Sequence, residues 1–248
     1  MLAQEKKPAW QVCEYDKPLV IASYFGFMPI ASPKVTEEDL KSVGHCENYE
    51  HYNAAEKAAL IRTYIKEDFA SLPHPLALAY RRPGGKKRSG YTLHYIGCPS
   101  GVAEAALIRA ALSILSEEGY QEPDRQISDY GYKDLRVDLN SIGDKESLGN
   151  YERELHTYVK KFGHNLRDPF KESLKQDVFN LFRHDEEEMI EFRNSAPTSL
   201  SFLSSASRMH FKEVLEFIEG LNVDFTLAPE FIGEKNHSSH TVFGIRAT

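Results

Sequence analysis

Residues 134–162 read DLRVDLNSIGDKESLGNYERELHTYVKKF, and the fold turns on this stretch. Leu135, Val137 and Leu139 alternate as a strand does, and the run ends in the tight turn Asn140-Ser141-Ile142-Gly143-Asp144. A long polar-faced helix follows, with Tyr151, Leu155, Tyr158, Val159 and Phe162 at helical spacing. Upstream, 102–118 predicts a helix with Ala106, Leu107, Ala110, Ile114 and Leu115 inward and Gly119 as its C-cap. Two strand-like runs, 76–82 and 91–98, flank the glycine- and lysine-rich segment 83–90, which signals an antiparallel hairpin. Residues 54–69 predict a helix with Ala58, Ile61, Ile65 and Phe69 on one face. Nearer the start, 16–25 reads as a helix stopped by Gly26, 27–31 as a short strand, and 37–41 as a helical turn beyond Pro33.

Downstream, 150–220 is helical throughout, divided by Pro169 and Pro197, and its last amphipathic piece is 206–218. Strand character returns at 223–227 and 241–244. A sheet-forming body interrupted by a helical block predicts an α+β fold with an insertion. Ser199, Ser201, Ser204, Ser205 and Ser207 read as a loop leading into a helix.

The 248 residues suffice for one large domain with its own core. A composition of 41% hydrophobic and 27% charged residues is that of an ordinary soluble globular protein. No secretory signal and no run of membrane-spanning length is visible, so a cytoplasmic protein is expected. Cys13, Cys46 and Cys98 are unpatterned, which argues against a disulfide framework. The net charge of −7 disfavours a general nucleic-acid binder, DNA included, so any RNA contact must use a local basic patch. His237 and His240 stand three apart without a third ligand at metal spacing, and no metal site is expected. His45-Cys46 lacks a nucleophile signature, and Gly97-Cys98-Pro99-Ser100-Gly101 reads as a strand-to-helix turn in which Ser100 caps the following helix.

The Leu-Asn-Ser-Ile-Gly turn and the Asn150-Tyr151 pair resemble histidyl-tRNA synthetases just after their second class II motif. The resemblance runs from about Leu19 to Phe243. The run from Tyr24 to Pro33 resembles class II motif 1, which implies a homodimer with Pro33 at its interface. Leu60-Ile61-Arg62 resembles the segment after the substrate-binding turn, 178–225 the family's insertion, and Thr241-Val242-Phe243 the strand after its histidine-binding loop. The fold implied is a class II synthetase-like antiparallel sheet with flanking helices. It forms a single domain over 1–248 with a helical insertion at 150–220, and no anticodon-binding domain.

The family's activity is ATP- and Mg-dependent formation of histidyl-adenylate, then transfer to tRNA. A carboxylate attacks the α-phosphate, and the developing charge requires a fixed cation. Counting back from His94, which matches the family's hairpin histidine, the motif 2 arginine falls on Arg81. The resemblance therefore assigns Arg81 as the catalytic and ATP-binding residue, and a short register shift would move the role to Arg82. Other expected groups are replaced. The glutamate after the arginine is Pro83, the glutamine after His94 is Tyr95, and a later substrate-facing glutamate is Pro99. The Arg-Pro-Glu-Gly-Thr turn that holds the substrate amino group corresponds to Asn53-Ala54-Ala55-Glu56-Lys57. The histidine-reading loop corresponds to 233–238 and lacks its arginine and both tyrosines. Motif 3 would lie beyond Thr248.

Pockets built on paired polar groups lose orders of magnitude when those groups go. The expectation is a synthetase-like pseudoenzyme that is not a competent ligase alone. One alternative is a regulatory paralogue, such as a synthetase-like subunit of ATP phosphoribosyltransferase serving a partner enzyme. Another is the front part of a longer synthetase. A ligase with a rewired pocket would draw on Glu56 or Glu104. Arg82, Lys86, Lys87 and Arg88 either meet tRNA or nucleotide phosphates or form a solvated turn.

Overall fold

The computed structural model describes residues 10, 15–43, 54–82, 90–118, 132–233 and 238–247. Lys86, Lys87, Arg88, His45, Cys13, Cys46, Gly119 and His237 lie outside the described residues. The chain divides into two compact units, one of residues 1–99 and 106–132, the other of 100–105 and 133–248.

In the first unit Asp16 caps helix α1 (Lys17–Tyr24), accepting from the Leu19 amide at 3.4 Å. The helix stops two residues before Gly26, which has φ +83°. Strand β1 (Met28–Pro29) pairs in parallel with β2 (Leu76–Arg82), and β2 pairs antiparallel with β3 (Gly90–Ile96) from Leu76↔Ile96 to Arg82↔Gly90. Alternation along β2 divides this unit's core in two. Ala77 and Ala79 pack with Leu19, Ile21, Ala22, Phe27, Ala110 and Ile114, the last two from helix α4 (Val102–Glu118). Leu76, Leu78 and Tyr80 pack on the other side with Ile30, Leu60 and Phe69.

Helix α2 (Glu37–Ser42) begins with a capping box between Thr36 and Asp39, and Arg62 of α3 (Ala54–Lys66) grips the same carboxylate at 2.9 Å. The helix expected over 54–69 thus ends three residues early, and Phe69 is buried from a following 3-10 turn. Its inward face also differs. Ala55, Ala59 and Leu60 are buried, whereas Ile61 and Ile65 are 61% and 72% exposed. The helical spacing fits either stripe, and Leu60 joins the core cluster of Leu76, Leu78 and Tyr80. In α4, Ala110 and Ile114 are buried as expected, but Ile108 and Leu112 are buried too, while Ala106, Leu107 and Leu115 are half-buried.

The second unit is built on β4 (Leu135–Gly143), with β5 (Phe225–Leu227) parallel to it on one side and β6 (His240–Ala247) antiparallel on the other. Each sheet is therefore mixed, an antiparallel pair beside a short parallel one. Gly143 has φ +69°, and a Cβ there would stand 2.5 Å from that of Ser147, so no other residue fits the turn. Helices α5 (Lys145–Phe162), α6 (Asp168–Gln176), α7 (Glu187–Asn194) and α8 (Ser205–Gly220) follow, with no strand between α5 and β5. Tyr151, Leu155, Phe170, Leu174, Phe179, Leu181 and Met189 form their shared core with Ile142 and Val242. No helix among the described residues is long and apolar enough to cross a membrane.

Candidate functional site

The β2–β3 register settles which side chains of the hairpin share a face. Arg81 lies opposite Tyr91, so it belongs with Ala79, Leu93 and Tyr95; Arg82 belongs with Tyr80, Thr92 and His94. The two arginines that compete for one role thus point to opposite sides of the sheet.

On the Arg81 face the arginine side chain is 59% exposed and its guanidinium lies 4.0 Å from Asp16, whose carboxylate also accepts a 2.6 Å hydrogen bond from the Tyr91 hydroxyl. Tyr95, which the resemblance sets at the glutamine position of the family's hairpin, packs edge-on against Phe27 with ring centroids 5.3 Å apart.

The other face is more polar. Arg82 Nε stands 2.9 Å from Glu56 Oε2, and its Nη2 donates to Oε1 at 3.1 Å, a fork-on-fork pair. Tyr80 is buried and stacks on His94 with centroids 5.7 Å apart, its phenol pushed up in pKa by burial. Burial, with a smaller repulsion from Lys57, lowers the His94 pKa to about 4, so the imidazole is neutral at pH 7. Glu56 stands in the first turn of α3, beside Ala54 and Ala55, which are 4% and 1% exposed. Of the segment that the resemblance matches to the amino-group-binding turn, the described residues include two buried alanines and a carboxylate paired with Arg82.

Pro33, expected at a dimer interface, is buried in its own chain. Cys98 and Pro99 follow β3, half-buried and exposed respectively, and Gly233 and Ser238 flank 234–237, residues of the segment matched to the histidine-reading loop that lie outside the described ones.

In the second unit two features escaped the sequence reading. The Asp144 carboxylate accepts from the Ser147 amide at 2.8 Å and from the Ser147 and Ser204 hydroxyls at 2.7 Å each, which holds its pKa well below the usual carboxylate range. Asp144 caps α5 and Ser204 caps α8, so one carboxylate serves both helix starts. The serine-rich run does lead into α8, through a 3-10 turn and the Ser204 cap, and Ser199 and Ser207 in it are buried partners in hydrogen bonds. The signal was present as an aspartate and a serine each three residues before another serine at a helix start. The second feature is Glu104 of α4, which meets His210 Nε2 at 2.6 Å, with the His240 ring 4.9 Å from that of His210. Glu213 beside it accepts from the Ser100 hydroxyl and the Gly101 amide, which lower its pKa. Glu104 is thus committed to an internal partner. Ser100 does cap α4, with the Val102 amide donating to its hydroxyl at 3.4 Å. No three His, Cys, Asp or Glu side chains come together to hold a metal ion among the described residues.

The α+β architecture, with its motif 1-like helix–strand, antiparallel hairpin and helical block, is that of a class II aminoacyl-tRNA synthetase core. An apo Staphylococcus aureus histidyl-tRNA synthetase superposes with a TM-score of 0.62 over 91% of this chain and 54% of that one, at 18% identity. A Bacillus halodurans protein described as an ATP phosphoribosyltransferase regulatory subunit/histidyl-tRNA synthetase superposes with a TM-score of 0.53 over 99% of this chain and 73% of its own, at 13% identity. In sequence, the histidine–tRNA ligase of a Wolbachia from Culex pipiens is 24% identical, over 90% of this chain and 58% of its own. That of Limosilactobacillus fermentum is 30% identical over 115 residues, 46% of this chain and 27% of the ligase. No family model matches the chain. The chain is similar to histidyl-tRNA synthetases, has diverged from them, and spans between a quarter and three-fifths of the length of these two curated relatives.

Proposed function

We propose that this chain is a histidyl-tRNA synthetase-like binding protein that keeps the scaffold and is not a competent ligase by itself. The observation that carries this reading is the burial of Ala55, 1% exposed, which the resemblance matches to the acidic residue of the family's amino-group-binding turn. A buried methyl group cannot accept a hydrogen bond from an ammonium group, and a polar substrate placed against it would lose its hydration without compensation. Tyr95 packed on Phe27 supports the same reading from the hairpin. Arg81 is the residue left to meet an ATP phosphate, and its exposure leaves it available. Arg82 with Lys86, Lys87 and Arg88 would supply phosphate or tRNA contacts. If ATP binds, Mg would accompany its phosphates. The scaffold would act as a homodimer.

A second reading is a regulatory subunit that serves a partner enzyme. It is favoured by the Bacillus halodurans neighbour, which aligns with 99% of this chain and whose description names such a role. The two readings share an old pocket used for binding. Isothermal titration with histidine, in the absence and presence of a non-hydrolysable ATP analogue, tests their common content. Histidine binding should be absent or unaffected by the nucleotide; a tenfold gain in histidine affinity on adding the analogue would overturn the proposal, because coupled binding is what adenylation requires.

A further inference from the structure

The histidines where β6 begins have a use that neither reading of the pocket calls on. We infer that His210 and His240 form a proton-operated catch, in which protonation of the pair expels His240 and frees the first residues of β6 from β4.

Three separate features meet at His240. Its φ is +55°, a left-handed conformation that a histidine adopts at some cost. It stands opposite Gly143, just past the point where the regular β4–β6 ladder ends at Ser141↔Thr241 and the register shifts. Its Nδ1 is enclosed and has no hydrogen-bond partner among the described residues. The Ser141 hydroxyl, donating to the His240 carbonyl at 3.2 Å, holds the residue to β4. A neutral imidazole tolerates an enclosed nitrogen without a partner. An imidazolium does not, because both nitrogens then carry hydrogens and the ring carries a charge.

The surrounding groups decide which ring takes a proton first. The His210 ring lies 4.9 Å from that of His240, and its Nε2 meets Glu104 Oε1 of α4 at 2.6 Å. Glu213, on the same helix as His210, also feels the charge of that imidazole. On the β4 side Ser141 and Gly143 are uncharged, and the Asp144 carboxylate beyond them is engaged by Ser147 and Ser204. A proton on His210 is therefore matched by Glu104, and its positive charge then faces His240 across 4.9 Å. A second proton has no such partner in place. It is accommodated by His240 turning outward, which gives up the left-handed conformation and the Ser141 contact together. Imidazoles ordinarily gain their proton between about pH 8 and about pH 5, so the catch works inside that range.

Hydrogen–deuterium exchange read by mass spectrometry tests the inference on the whole chain, at about pH 7.5 and about pH 5.5, with rates corrected for the intrinsic pH dependence of exchange. Amides at 241–243 in wild type should lose at least tenfold in protection at the lower pH, while those at 135–139 of β4 keep theirs. His240→Asn, which accepts a left-handed conformation and does not titrate, should abolish the loss. His240→Gly serves in its place if circular dichroism shows that the asparagine variant is not folded. His210→Gln should reduce the loss, because the expulsion is attributed to charge on His210. Equal protection of 241–243 at both pH values in wild type would overturn the inference. So would a loss shared by 135–139, a loss that persists in the folded His240 variant, or one undiminished in His210→Gln.

Discussion

Single side chains in this protein show how a polar group fares once it is enclosed. Tyr151 is fully buried among Phe179, Phe182 and Phe202, and its hydroxyl has no hydrogen-bond partner among the described residues. An enclosed hydroxyl without a partner forfeits its hydration, so removing it is close to neutral or favourable. Tyr151→Phe should leave the urea midpoint unchanged or raise stability by about 1 kcal/mol; a loss of more than about 1 kcal/mol would show that the hydroxyl has a partner. His94 tests burial through pH. Its folded pKa of about 4 lies below the ordinary 6.5, so between these values the unfolded chain binds more protons than the folded one. Its share of stability is intact above pH 6.5 and is lost as pH falls toward 4. His94→Gln should flatten the stability–pH curve in that window, and an unchanged slope would place the acid sensitivity elsewhere. The sequence favoured Arg81 over Arg82 by counting alone, and counting cannot say which face of a strand a side chain takes until the partner strand's register is known. The Arg81↔Tyr91 pairing resolves it.

At the scale of elements, the starts of α5 and α8 meet at one carboxylate. A helix start leaves amide hydrogens unsatisfied, and Asp144 and Ser204 answer both sets within hydrogen-bond distance of one another. Asp144→Ala should lower stability by about 2 kcal/mol, the upper range for a lost cap, measured by urea denaturation at pH 7. The variant should also lose part of the wild type's acid sensitivity. Asp144 has a folded pKa depressed below its unfolded value, so its contribution is present above pH 4 and disappears on acidification. Asp39, held at about 2 by Arg62, acts in the same direction at the start of α2. The elements themselves were legible. Residues 102–118 and 135–143 carry clear periodicity, and glycines mark where strands and helices stop. What the periodicity did not reveal was the inward face of α3, since Ala55-Ala59-Leu60 and Ala58-Ile61-Ile65 repeat equally well and only the packing on Leu78 and Phe69 chooses between them. The exposed Ile61 and Ile65, with Glu38 and Lys66, line a shallow groove between α2 and α3.

For the whole molecule, the class II scaffold was readable because many weak matches occur in the right order, and the neighbours in sequence and structure agree with it. The site was less readable. Its correspondences could only be counted along the sequence, and what each side chain packs against could not be read from it. Ala55 is in the core, Tyr95 packs on Phe27, and Glu56 and Glu104 are bound to Arg82 and His210. Both acidic candidates for a rewired pocket, Glu56 and Glu104, are paired within the chain. If the hairpin still meets RNA phosphates, affinity for tRNA should fall with a log–log salt slope of roughly −3, about 0.9 for each of three cations engaged, and Lys86→Ala with Lys87→Ala should flatten it. A salt-independent affinity, or none at 50 mM salt, would leave the hairpin without that role.

The central claim is that a synthetase scaffold persists here without synthetase chemistry, and histidine-dependent ATP–pyrophosphate exchange tests it most directly, with Arg81→Ala as the control. The account predicts no histidine-dependent exchange from a folded preparation of wild type. Exchange that requires histidine and disappears in Arg81→Ala would contradict it, and would establish a working adenylation site in spite of Ala55 and Tyr95.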